Sequence, residues 1–211
     1  MGTILTELGV KYNTDKAYLH NFTDFYFEHL SGYTETYTNI LEIGIWDGGS
    51  LKMWEEFFKN SKIHGIDIEE KSKYDSERIK TYLCSQTNTT LLNELFEDNS
   101  LDMIIDDGSH VISHQQISLK YLLSKVKSGG IYILEDLHTS VVPTEMYECY
   151  VDGKTTLDLI KTLKNDGKFT SNFISETDFE DIKSKIDRVE LLINPNESMW
   201  GSSITSILYL K

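Results

Sequence analysis

The sequence predicts an α/β fold: a doubly wound, mostly parallel seven-stranded sheet with one late antiparallel strand. Three observations carry this. Short apolar runs recur along the chain, each bounded by turn residues, and they alternate with segments of helical periodicity. The runs are continuous rather than alternating, as suits central strands covered on both faces. Several of them end in an acid or a glycine, where a parallel sheet gathers its carboxyl ends on one rim.

Residues 1–38 read as a mostly helical lead-in. Phe22, Phe25 and Tyr26 fall three and four apart, a helical packing stripe, and Asn13, Thr14 and Asp15 form a polar turn before it. The first strand runs from Asn39 to Gly44. Asp47, Gly48, Gly49 and Ser50 follow, then a helix with Leu51, Trp54 and Phe58 on one stripe. Lys62 to Asp67 is the second strand and Ile79 to Leu83 the third, backed by a helix over Thr89 to Phe96. Leu101 to Ile105 is the fourth, ending at Asp106 and Asp107, and a helix begins near Ile112. Ser128, Gly129 and Gly130 turn the chain into a fifth strand, Ile131 to Leu134, ending at Glu135 and Asp136. His138 to Tyr150 reads as a loop with partial helix, and Thr155 to Leu163 as a helix. Asp187 to Ile193 and Ser203 to Leu210 are two late strands that give the sheet a mixed edge. Right-handed crossovers then place Gly44, Asp67, Asp106, Asp107, Glu135 and Asp136 on one rim. We expect one domain over residues 1–211, with 137–203 contributing loops beside that rim.

Composition narrows the partners. The 211 residues carry 34 acidic and 20 basic side chains, a formal charge of -14. That excess disfavours nucleic acid and anionic membranes. Cys84 and Cys149, far apart, make neither a disulfide framework nor a sulfur metal site, so free thiols are expected. No leader pattern and no membrane-length apolar run is read in the sequence, and a cytoplasmic protein, with a homodimer as its default assembly, is expected.

Two candidate sites lie on the rim. In LEIGIWDGGS, residues 41–50, a strand passes through a glycine turn into a helix, but G-x-G-x-x-G is missing. Glu42, Gly44, Asp47, Gly48 and Ser50 sit in this cradle. Its acid suits a cationic or sugar-bearing cofactor better than a phosphate. Asp67 is placed to accept hydrogen bonds from ribose hydroxyls. A turn without a ligand, or a nicotinamide cofactor, remains open on this stretch alone. In the second site, Asp107, Glu135 and Asp136 suit a hard cation, magnesium, calcium or manganese. His110 suits a general base. Helix capping is the plainer reading of Asp106 or Asp107, and His114, one turn beyond His110, either orients a partner or packs. His20, His29 and His64 read as structural or exposed.

Together TDK near the start, LEIGIWDGGSLKMW, GIDI, IIDDGSH and GGIYILEDLH resemble the class I, Rossmann-like methyltransferases of the macrocin and mycinamicin sugar O-methyltransferase type. That group overlaps with proteins labelled rhamnosyl O-methyltransferase or cephalosporin hydroxylase. The likeness spans roughly Lys11 to Thr139. It implies S-adenosylmethionine at the first strand end and magnesium on Asp107, Glu135 and Asp136. It also implies His110 as base, with Asp107 beside it in the chemistry, Asp67 on the adenosyl ribose and Gln86 near the adenine. Lys16 and Asp106 join the cofactor-binding set. A sugar hydroxyl of a glycan, nucleotide sugar or glycosylated metabolite is the expected acceptor, with His138, Tyr147 and Trp200 as substrate contacts. A nicotinamide-dependent oxidoreductase, a metal-dependent hydrolase and a non-catalytic binding domain are the competing readings.

Overall fold

The computed structural model describes residues 2–142, 144–148, 154–195 and 202–211. Its strands are β1 (Asn39–Ile43), β2 (Lys62–Asp67), β3 (Ile79–Leu83), β4 (Leu101–Asp106), β5 (Val126–Leu134), β6 (Ile186–Pro195) and β7 (Ser202–Leu210). They form one seven-stranded sheet in the order β3-β2-β1-β4-β5-β7-β6. β1 pairs parallel with β2 and β4, β2 with β3, and β4 with β5. β7 runs antiparallel to both neighbours, β5 and β6. The strand order reverses between β1 and β4. In open α/β sheets, that is where a crevice opens beyond the strand ends.

The helices are α1 (Ile4–Lys11), α2 (Asp15–Tyr18), α3 (Thr23–Leu30), α4 (Gly49–Phe57), α5 (Thr89–Leu95), α6 (Ile112–Leu122), α7 (Thr156–Lys164) and α8 (Glu176–Lys185). Period-two alternation sends the strand side chains to two cores. Ile40, Met103, Ile105, Ile131 and Ile133 pack with the lead-in and α4, through Phe22, Tyr26 and Trp54. Leu41, Ile43, Ile104, Tyr132 and Leu134 pack with α5 to α8, through Leu92, Leu119, Ile160 and Phe179. Both faces of the central strands are therefore dry, which is why their sequences are apolar without a polar alternate. The Phe22 and Tyr26 stripe is packing: both rings are fully buried and Tyr26 lies against Trp54.

Two elements differ from the sequence expectation. β5 begins at Val126, not Ile131. Val126 pairs with Leu101, and the register then shifts before Met103 meets Ile131. The glycines read as a turn form an irregularity inside the strand, with Gly129 at φ +74°. α8 was not expected, because only Phe179 and Ile182 of its residues are buried and its remaining face is polar. Cys84 is a buried free thiol, and Cys149 lies outside the described residues. Among the described residues, no helix is long and apolar enough to cross a membrane.

Candidate active site

Beyond the strand ends the backbone ladder continues. Gly44 N donates to Ile66 O at 2.9 Å, Asp107 N to Ile43 O at 3.0 Å and Glu135 N to Asp106 O at 3.0 Å. These bonds draw β2, β1, β4 and β5 onto one rim. Gly44, at φ +87°, has room only for hydrogen: a Cβ there would stand 2.1 Å from the Asp107 carbonyl oxygen. Gly48, at φ +74°, caps α4 in the left-handed region, and Asp47 Oδ1 accepts from Gly49 N at 3.1 Å.

A cavity of about 520 Å³ opens over this rim, with Gly44, Asp67, Gln86, Asp107, His110 and Asp136 among its walls. Lys16, Asp47, Ser50 and His114 line it too. Asp67 is held rigidly: its Oδ2 accepts from Ile45 N and its Oδ1 from Glu69 N, both at 2.9 Å. Gln86 Oε1 accepts from Ser109 N at 2.9 Å, and its Nε2 donates to Asp106 Oδ1 at 3.1 Å. His114 Nδ1 shares a 2.8 Å hydrogen bond with Ser109 Oγ.

Three residues expected at the cofactor do not line the cavity: Glu42, Gly48 and Asp106. Asp106 and Asp107 leave β4 on opposite sides, as alternation requires. Asp106 turns inward beneath Gln86, where Ser118 Oγ and the Tyr132 hydroxyl donate to it. Burial pushes its carboxyl up to about 6, against the lowering pull of Ser118. Glu42 is likewise fully buried, accepting from Ser50 Oγ at 2.8 Å and Trp54 Nε1 at 3.4 Å. Burial pushes it up to about 7, opposed by the Lys16 ammonium.

The second cluster meets the first at Asp107. Asp107, His110 and Asp136 each bring one ligand atom to within 4.8 Å of the others. His110 Nε2 lies 3.6 Å from Asp136 Oδ2. Glu135, beside them in sequence, is 1% exposed and turned onto Lys16, with Nζ 3.0 Å from its Oε2. Burial raises its carboxyl well above the usual range, opposed by that ammonium. The rim carries buried polar atoms without a hydrogen-bond partner among the described residues: His110 Nδ1, Glu135 Oε1, Asp136 Oδ1 and His138 Nδ1. Such orphans are rare in folded proteins and mark a place that a ligand or ion completes. Two carboxylates, Asp107 and Asp136, converge with His110 as a hard divalent cation requires, whereas Glu135, expected as the third ligand, stands outside that group with its Oε1 unspent. His110 and Asp136 hold left-handed backbone, at φ +58° and +53°. His and Asp tolerate that region, and strain of this kind gathers at functional sites.

Of the residues expected at the acceptor, His138 is buried behind the rim, its Nδ1 3.7 Å from Asp136 Oδ1. Burial lowers its imidazole pKa. Tyr147 is half-buried in a short 3-10 turn over Glu145–Tyr147 and does not line the cavity. Trp200 lies outside the described residues. Sequence reading missed His20, read as structural or exposed. Its Nδ1 stands 3.7 Å from Asp136 Oδ1, its ring stacks on His138, and Ser203 Oγ lies 2.8 Å away. It also missed Trp46, 86% exposed on the cavity wall. No local signal marks His20, whose contacts lie far off in sequence, whereas Trp46 stands inside the glycine turn already read as the cradle.

The seven-stranded sheet with its switch-point cavity is similar to the fold of class I S-adenosylmethionine-dependent methyltransferases. Within that class, the chain resembles the macrocin and mycinamicin sugar O-methyltransferases. It is 36% identical over 173 residues to mycinamicin VI 2''-O-methyltransferase of Micromonospora griseorubida, covering 75% of this chain and 43% of that one. It is 40% identical over 148 residues to demethylmacrocin O-methyltransferase of Streptomyces fradiae, covering 66% and 38%. In three dimensions it matches the MycE methyltransferase in complex with Mg, SAH and mycinamycin VI. That match has a TM-score of 0.78 and 30% identity, covering 99% of this chain and 55% of that one. The chain thus spans less than half the length of these two curated relatives. No family model matches it.

Proposed function

We propose that this protein moves the methyl group of S-adenosylmethionine to a sugar hydroxyl on a glycosylated acceptor, with a magnesium ion at the rim. One observation carries the reading: Asp107 both walls the cofactor-sized cavity and belongs to the carboxylate and histidine cluster. Donor and acceptor would then meet at one residue. The likeness to a methyltransferase bound to Mg, SAH and a glycosylated macrolide supports the same pairing. The competing readings explain less. An oxidoreductase lacks its glycine fingerprint, a hydrolase leaves the glycine cradle idle, and a non-catalytic domain leaves the orphaned rim atoms without purpose.

In this reading Asp67 takes the ribose hydroxyls and Gln86 borders the adenine. Lys16, Gly44, Asp47 and Ser50 shape the rest of the cofactor wall, with Glu42, Gly48 and Asp106 bracing it from behind. Asp107, Glu135 and Asp136 hold the ion, manganese or calcium being the nearest substitutes. When bound, the ion supplies positive charge that favours loss of a proton from an acceptor hydroxyl. His110, whose Nδ1 has no partner among the described residues, takes that proton. The acceptor oxygen forms a bond to the methyl carbon as the carbon–sulfur bond breaks, and S-adenosylhomocysteine leaves with the sulfur's electron pair. The chain's contribution is to hold oxygen, carbon and sulfur in line.

The acceptor side is assigned to residues 137–203 within a single domain, with Tyr147 and Trp200 approaching the acceptor from outside the cofactor cavity and His138, stacked on His20, backing Asp136. A glycan, a nucleotide sugar and a glycosylated small molecule share the sugar hydroxyl on which the reading rests. We place the reaction in the cytoplasm, without nucleic acid as partner, and with a homodimer as the default assembly. Methyl transfer to sugar acceptors, followed by mass, tests the chemistry. His110→Ala and Asp107→Ala should each lose about 100-fold or more in turnover while their circular dichroism stays unchanged. Undiminished transfer by both variants would end the assignment.

A further inference from the structure

Lys16 stands where an ion site has least use for a lysine. Its side chain is 1% exposed, and its Nζ bonds Asp107 Oδ2, lies 3.0 Å from Glu135 Oε2 and 3.5 Å from Glu42 Oε1. These partners come from β1, the end of β4 and the end of β5, so one ammonium ties together three strand ends. Its own placement is fixed by the lead-in. Phe22 N donates to Lys16 O at 2.8 Å, and the Phe22 ring, fully buried, stacks against His20.

The charges explain why it is there. Glu42 and Glu135 are buried at 0% and 1% exposure, with Asp107 and Asp136 beside them. Four carboxylates this close repel one another unless positive charge is present. Lys16 supplies some of it permanently. It also uses the oxygens selectively: Glu135 gives Oε2 to Lys16, and its buried Oε1 meets the hydrogen-bond criteria with no group among the described residues.

We propose that Lys16 is a positioning residue, the resident cation of the ion site. It fixes Asp107 and Glu135 through one oxygen each, leaves Glu135 Oε1 for the incoming ion, and keeps this corner folded when no ion is present. This rests on the reading that the ion sits on Asp107, Glu135 and Asp136. The lead-in thereby becomes part of the site, and the ion is needed for chemistry rather than for folding.

The test compares wild type with Lys16→Met, nearly equal in length but uncharged. Thermal unfolding is followed in chelator and in saturating Mg2+, and Mn2+ binding by electron paramagnetic resonance. Wild type should rise with the ion only by the amount that ion binding itself gives. The variant should fall in chelator and recover with the ion, its shift at least about twice that of wild type. Removing a unit positive charge bonded to two of the carboxylates that would hold the ion should tighten Mn2+ binding by about tenfold or more. Equal loss with and without ion, or unchanged Mn2+ affinity, would overturn the role given to Lys16. Absence of Mn2+ binding in wild type would instead overturn the ion reading itself. If Lys16→Met yields no folded protein, the double variant Lys16→Met/Glu42→Gln removes one charge of each sign. It should recover folding, and failure to do so counts against the proposal.

Discussion

Gly44 shows how one missing Cβ builds the site. Its left-handed backbone, and the Asp107 carbonyl oxygen that an added Cβ would meet at 2.1 Å, leave no space for a methyl group. Gly44→Ala should therefore cost about 3 kcal/mol or more, read from the urea midpoint, because strain and clash act together. An unchanged midpoint would mean that β1 and β4 do not meet there as described. Asp67 makes a different prediction. Its carboxylate is pre-aimed by two backbone N–H groups, so Asp67→Ala should weaken S-adenosylhomocysteine binding by about tenfold to a hundredfold in calorimetry. Equal affinity would take the ribose away from Asp67. Residues at strand ends were legible in the sequence because a strand end is a local event. The inward turn of Asp106 follows from alternation, once the last residue of β4 is known. Lys16 was read into the cofactor set through the TDK motif, but its carboxylate partners were not legible, and His20 was not read as a site residue at all. Their partners lie as far off as Glu135 and Asp136, and nothing near either residue announces such a meeting.

Among the elements, β2 and β3 match their sequence expectation to the residue, since turns bound both apolar runs sharply. β5 was read short, because a glycine pair looks the same whether it turns a chain or bulges a strand. α8 was invisible to periodicity, with two buried apolar residues in ten. Its start is nevertheless written in polar residues. Ser175 Oγ accepts from Asp178 N, and Asp178 Oδ2 accepts from Ser175 N at 3.0 Å, a reciprocal cap. Lys120 on α6 reaches the same carboxylate at 2.7 Å. That hydrogen bond holds the Asp178 carboxyl down at about 2, against an ordinary 3.8. The folded pKa lies below the unfolded one, so this contribution is present above 3.8 and lost as the pH falls through about 2. Asp178→Asn should flatten that part of the acid limb in denaturation measured against pH. A variant with the wild-type acid limb would show that α8 is held by packing alone.

For the molecule as a whole, the parallel sheet and its late antiparallel strand follow from strand count and spacing, and both are present. Strand order did not follow from the sequence, and it is what makes the rim a site. The reversal between β1 and β4 sets Ile43 beside Asp106, and with them Gly44 beside Asp107. Gly44 and Asp107, and with them the cofactor cradle and the carboxylate cluster, thus become neighbours although 62 residues of chain lie between the two. The measurement that bears most directly on this is a crystal grown with S-adenosylhomocysteine and Mn2+, read by anomalous scattering. The account predicts one ion peak among Asp107, Glu135 and Asp136, with the nucleoside lying over Gly44 and its ribose on Asp67. A nucleoside bound elsewhere, or an ion peak remote from Asp107, would contradict it.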